Sequence, residues 1–243
     1  MSDMGNPEVR CADGLDAARI APVFARCGRL HIPGFLATDV ATRVHHAMTQ
    51  ETPWSRVVGS PARHHEFPPG AWEALSDQQR AEVERAVHAQ GRSGFAYFYE
   101  NFAVADLHAA GQHLDSYLMR VFEFLNSDPF LEFARRVVGA PGIAFADAQA
   151  TCYRSGDFLT LHHDDIEGKR RKAAYVLNFS PGWRVDWGGV LQFLDADGHV
   201  SEGYAPTFNA LNLLRVPQPH AVSYVTPLAG AARYSITGWL RER

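Results

Sequence analysis

Downstream of Gly142 the chain is written in short β-rich runs separated only by turns, and that texture constrains the fold more than any other feature. The runs are Ala146–Tyr153, Ala173–Phe179, Val190–Leu194, Ala210–Arg215, His220–Val225 and Tyr234–Leu240, divided by turn signals such as SPGW and DADG. Closely spaced strands with no helices between them close on one another as an antiparallel sandwich or jelly-roll barrel. Upstream the patterns are mainly helical. Leu15 to Cys27 reads as a helix despite Pro22, and His31–Phe35 as a short strand or extended turn. Thr38 is the expected N-cap of a helix running towards Thr52. Ser76–Gly91 reads as a helix capped by Ser76 with Gly91 just past its end, and Ser127 to Gly139 as another with Pro129 in its first turn. PARHHEFPPG, Pro61–Gly70, reads as a loop, and GFAYFYENF, Gly94–Phe102, as a strand of alternating aromatics. The expected class is therefore α+β with a mainly β core. We expect a single domain over 1–243, with 1–142 as helical support packed on a sheet built from 143–243.

The 243 residues can bury a sizeable core, and 46% hydrophobic with 21% charged residues is the balance of a globular chain rather than a disordered one. A formal charge of −4 supplies no basic field, so nucleic acid is not an expected partner. Cys11, Cys27 and Cys152 have no metal-type spacing and read as ordinary buried thiols of a reducing compartment. No signal pattern or apolar run of membrane length is present, so a cytoplasmic protein with no membrane partner is expected. Nothing in the sequence reports the oligomeric state.

The chemistry concentrates in LTLHHDDIEG, Leu159–Gly168. If the segment is extended, side chains alternate, so His162 and Asp164 share one side and His163 and Asp165 the other. A His-x-Asp pair at a strand end offers two ligands of the facial triad that binds non-haem Fe(II) and leaves coordination positions open. A third ligand should be a histidine further on. His199 lies in the turn DADGHV, whereas His220 starts a strand after VPQP, and His220 is the expected ligand. An oxygenase using 2-oxoglutarate also needs a cation for the far carboxylate, and Arg233 offers a planar fork suited to it. Ser235 shares the face of Arg233 on the same strand, and Tyr153 can reach the cosubstrate from the preceding strand.

The words YRSGDFLTLHHDD, YVLNFSPGWRVDWGGVLQF, VPQPHAVSYV and RYSITGWL resemble the Fe(II)/2-oxoglutarate dioxygenases of the prolyl-hydroxylase type. RYSITGWL and the tryptophan-glycine-glycine turn are most similar to ribosomal-protein prolyl 3-hydroxylases and their bacterial relatives. The resemblance covers about Ala148 to Leu240 and implies a double-stranded β-helix. Its tyrosine, glycine and His-x-Asp spacing falls on Tyr153, Gly156, His162 and Asp164, which favours His162 over His163 as ligand. It implies His220 as the distal histidine and Arg233 as the carboxylate-binding cation. It implies Fe(II), 2-oxoglutarate and O2 as cofactors, with ascorbate as a candidate auxiliary. The implied activity is hydroxylation of an unactivated C–H, first of a prolyl residue in a protein or peptide. A free amino acid or other small molecule is the alternative substrate. The eukaryotic ribosomal enzymes carry a second barrel that this sequence lacks, and the helical half matches no recognition element we can name.

Other features carry plainer expectations. EGKRRK, Glu167–Lys172, reads as a solvated loop. Gly188 and Gly189 permit a tight bend, Trp183 shapes its turn, and Asn178 lines the pocket or the turn. RHH, Arg63–His65, reads as surface, and FAYFYENF as core packing with a substrate wall as the lesser reading. A cupin-type metal enzyme, or a non-catalytic protein on the same fold, would have no use for Arg233.

Overall fold

The computed structural model describes residues 5–60 and 63–243. The elements run α1 (Ala17–Cys27), β1 (Arg29–Pro33), α2 (Thr38–His46) continued by a wide π turn (Ala47–Glu51), β2 (Ser55–Ser60), β3 (Arg63–Phe67), α3 (Asp77–Gly91), β4 (Tyr97–Phe102), α4 (Val104–Ala109), α5 (Tyr117–Leu125) and α6 (Asp128–Val138). There follow β5 (Ile143–Ala146), β6 (Gln149–Tyr153), β7 (Phe158–His162), β8 (Arg171–Asn178), β9 (Leu191–Leu194), β10 (Val200–Tyr204), β11 (Ala210–Arg215), β12 (His220–Val222) and β13 (Arg233–Glu242).

The strands form an antiparallel sheet in the order β1-β11-β8-β13-β6-β4-β7-β12-β9-β10, nearly closed on itself as a jelly-roll barrel. β11, β8, β13 and β6 make one wall, and β7, β12, β9 and β10 the other. β4 joins them, because its Glu100–Phe102 end pairs with β6 while Tyr97 and Phe98 pair with β7. Alternation along β8 assigns the faces. Ala173, Tyr175 and Leu177 meet the helices in the main core, whereas Ala174 and Val176 turn into the barrel. Phe24, Phe35, Met48, Leu118, Leu125 and Phe130 cover that outer face, and truncating any of the three phenylalanines would cost about 3–5 kcal/mol. A third cluster, Val58, Val87, Ala96, Phe98 and Phe158, seats α3 on β2, β4 and β7.

The expected helices exist with shifted caps. Asp16 caps α1 by accepting from the Ala18 N–H, so the helix opens at Ala17 rather than Leu15. Thr38 is the first residue of α2 and not its cap. Ala37 takes that place without a side-chain bond, and the segment towards Thr52 ends in the π turn. Ser76 forms a full capping box with Gln79, whereas Gly91 is the last residue of α3 rather than the one beyond it. Ser127 occupies the cap position of α6, but its hydroxyl donates to the Phe124 carbonyl instead.

The reading of 1–142 as helical support needs correction, since this half supplies β1 to β4 of the sheet. The segment read as a loop over Pro61–Gly70 contains β3; Pro61 itself lies outside the described residues. β3 pairs only with β2 and its residues are largely exposed, so no apolar alternation marks it. The run Ala146–Tyr153 divides into the end of β5 and β6, and β13 extends to Glu242.

Candidate active site

β7 delivers His162 as its last residue and β12 delivers His220 as its first, and the antiparallel register sets the two opposite each other. Their rings lie 4.2 Å apart between centroids. Asp164, two residues past the strand end, turns back to the same point. Its Oδ1 is 3.8 Å from His162 Nε2 and its Oδ2 is 3.5 Å from His220 Nε2. These separations are too long for hydrogen bonds between them. The three ligand atoms nevertheless all lie within 4.8 Å of one another. His163 and Asp165 are exposed on the other side, and so is His199 in its turn.

The imidazoles are oriented from behind. His162 Nδ1 is 2.9 Å from the Thr160 carbonyl and His220 Nδ1 is 2.8 Å from the Gln218 carbonyl. A carbonyl can only accept, so both Nδ1 atoms carry the proton and both Nε2 lone pairs point inward. Burial, reinforced by the neighbouring His220, lowers the His162 pKa to about 4, which keeps its Nε2 free at neutral pH. Two imidazoles with Nε2 turned inward and one carboxylate, converging on one point, are a donor set that suits a divalent transition metal such as Fe(II).

Arg233 opens β13 directly opposite Tyr153. It is 2% exposed, its Nε has no hydrogen-bond partner, and among the described residues no carboxylate pairs with it. A buried guanidinium without a counter-ion is costly, which makes it a receptor for an anionic ligand. Burial lowers its pKa, although a guanidinium remains charged. Its Cζ lies 4.9 Å from the centroid of the Tyr153 ring, and burial pushes the Tyr153 phenol well up, so that it stays a neutral donor. Ser235, two residues along the same face, lines the chamber with its hydroxyl 2.9 Å from Thr151 Oγ1. One cavity contains His162, Asp164, His220, Arg233, Tyr153 and Ser235 together.

The closed end of this chamber explains the glycine pair. At Gly188 a Cβ would fall 2.0 Å from the Tyr224 carbonyl oxygen, at a φ of +71°. At Gly189 it would press on Arg233, Trp183 and Val225. Trp183 donates from Nε1 to the Gly188 carbonyl at 2.9 Å, so it fixes that turn beside Arg233. Asn178 is fully buried in β8, away from the chamber lining.

Three residues of the site escaped the sequence reading. Arg171, inside the stretch read as a solvated loop, donates from Nη1 to the Asp164 carbonyl at 3.0 Å and lies 3.5 Å over the Trp239 ring. Trp239 itself lines the chamber, and so does Tyr99 of β4. For Tyr99 the alternation was legible, but nothing local said that its face looks into the barrel.

Residues 148–241 match the 2OG-Fe(II) oxygenase superfamily. More particularly, a stretch of 100 residues is 33% identical to prolyl 3-hydroxylase OGFOD1 of Mus musculus, covering 38% of this chain and 18% of that protein. The chain thus spans about a fifth of the curated relative's length. Two solved structures share the fold. A Pseudomonas putida prolyl-4-hydroxylase is 19% identical, with 93% of this chain and 99% of that chain covered at a TM-score of 0.55. A Trichoplax adhaerens prolyl hydroxylase, solved with a hypoxia inducible factor peptide fragment, is 18% identical, with 93% and 89% covered at 0.61.

Proposed function

We propose that the protein is an Fe(II)- and 2-oxoglutarate-dependent hydroxylase acting on a prolyl residue of a peptide or protein. The observation that carries this is the meeting of three inward ligand atoms and an uncompensated Arg233 in one cavity. His162, Asp164 and His220 would hold the iron, which when bound with 2-oxoglutarate supplies the oxidising chemistry for C–H hydroxylation. The chain's own contribution is placement. The Thr160 and Gln218 carbonyls fix the imidazole tautomers, and Arg171 tethers the Asp164 backbone. Arg233 would receive the far carboxylate of the cosubstrate, with Tyr153 and Ser235 beside it.

A peptide substrate is supported by the named activities of the relatives. That the described residues fold as one unit is likewise our reading, supported by β4 spanning both walls. Cytoplasmic placement rests on three unpaired cysteines. No helix among the described residues is long and apolar enough to cross a membrane.

The test is an anaerobic titration of the Fe(II)-loaded protein with 2-oxoglutarate, followed by its visible charge-transfer band. Wild type should give the band, His162→Ala should not, and Arg233→Ala should need at least about tenfold more cosubstrate, the loss of one charge-assisted bidentate contact. No band in folded, iron-loaded wild type would sink the proposal. Proline-containing peptides should then stimulate succinate formation above free amino acids; the reverse order would replace the peptide by a small molecule.

A further inference from the structure

β4 lies outside the segment matched to the oxygenase superfamily, yet one of its side chains reaches the chamber. The β4–β6 register places Glu100 opposite Cys152, which brings Tyr99 beside Tyr153 on the inner face. The two rings stack at 4.9 Å between centroids and 15° between planes. Tyr153 in turn lies under the Arg233 guanidinium. The far side of Tyr99 is held by Tyr97, whose ring is 5.8 Å away, and its phenol lies by the Gln149 side chain, which also lines the chamber. Tyr153 is thus held between the Tyr99 ring and the Arg233 guanidinium, and among the described residues no carboxylate pairs with Arg233. The stack therefore sets where both groups sit before any ligand arrives.

We propose that Tyr99 is a positioning and specificity residue for the cosubstrate. It fixes Tyr153 and Arg233 in the arrangement that receives the far carboxylate, and its ring sets the bore of the chamber so that a five-carbon 2-oxo diacid is preferred to a six-carbon one. The inference rests on the oxygenase reading above. It also assigns to the first half of the chain a direct part in cosubstrate selection.

The experiment is calorimetric binding of 2-oxoglutarate and of 2-oxoadipate to the Mn(II)-loaded protein, with Mn(II) affinity and thermal midpoint measured alongside. Tyr99→Leu, which removes the stack and widens the bore, should weaken 2-oxoglutarate about tenfold, the scale of one aromatic pair, and narrow its preference over 2-oxoadipate. Mn(II) affinity should be unchanged, since Tyr99 touches no metal ligand. Tyr99→Phe keeps the stack and should retain 2-oxoglutarate affinity within about threefold. If Tyr99→Leu does not fold, Tyr99→Trp decides, because it preserves stacking while filling the bore. It should weaken 2-oxoglutarate without touching Mn(II). Wild-type affinity and preference in the folded Leu or Trp variant would overturn the proposal. Absence of any 2-oxoglutarate binding to Mn(II)-loaded wild type would instead overturn the oxygenase reading on which it stands.

Discussion

His162 and Asp157 pull the acid stability of the protein in opposite directions. The His162 pKa falls from 6.5 to about 4 in the fold, so its contribution is complete above pH 6.5 and is lost as pH drops towards 4, by on the order of 3 kcal/mol. Asp157, 1% exposed, is raised by burial from 3.8 to about 7, against the pull of Arg56 at 2.6 Å. Its unfolded form gives up the proton first, so stability falls as pH rises from 3.8 to 7. Bulk acid denaturation mixes the two, and the histidine is isolated by comparison with His162→Gln. In metal-free protein the urea midpoint of this variant should gain on wild type as pH falls from 7.5 to 5; a constant difference would contradict the lowered pKa. At this scale much of the site was legible. A His-x-Asp pair, a histidine behind a proline-rich turn and an arginine opening a strand each carry a local signal. Arg171 did not, because KRRK looks solvated until Trp239 and the Asp164 carbonyl come to meet one of its members.

Among the elements, β13 has the least room to change. A Cβ on Gly238 would stand 2.0 Å from the Asp147 carbonyl oxygen and 2.9 Å from Tyr175 Oη, which itself donates to that carbonyl. Gly238→Ala should therefore destabilise the fold by at least about 2 kcal/mol in urea unfolding, as overpacking against backbone does. A near-neutral result would mean that β5 and β13 can part without cost. The β-rich runs of the second half were readable because their inner and outer faces differ. β2 and β3 were not, since one edge of β3 is unpaired and its side chains meet water. Whether GFAYFYENF packs in a core or walls a site depended on its neighbours. Phe98 does the first and Tyr99 the second.

For the whole molecule, the change of texture at residue 142 does not divide the sheet, which takes β1 to β4 from one side of it and β5 to β13 from the other. Without 1–142 the outer face of β8, β11 and β13 would lose the helices that cover Tyr175, Leu177, Phe179, Leu211 and Leu213, and β6 and β11 would each gain an open edge. We predict that 143–243 expressed alone is insoluble or binds hydrophobic dye without a cooperative melt. A cooperative transition in that fragment would show an autonomous barrel. Global pairing of this kind is what a local reading of sequence cannot see, since β1 pairs with a strand more than 170 residues away and β4 with strands about fifty to sixty residues away.

β4 has one more effect. By pairing with both walls it sews the side seam of the barrel, while Trp183 and Val225 crowd Gly189 beside Arg233. In the cavity that holds both Arg233 and His162, Arg233 is the deeper, 2% exposed against 16% for the His162 side chain. A molecule that reaches Arg233 past the histidines has to go in before one that reacts beside them, and has to leave after it. Initial-rate kinetics should accordingly show compulsory order, with an excess of the second arrival holding back the departure of the first.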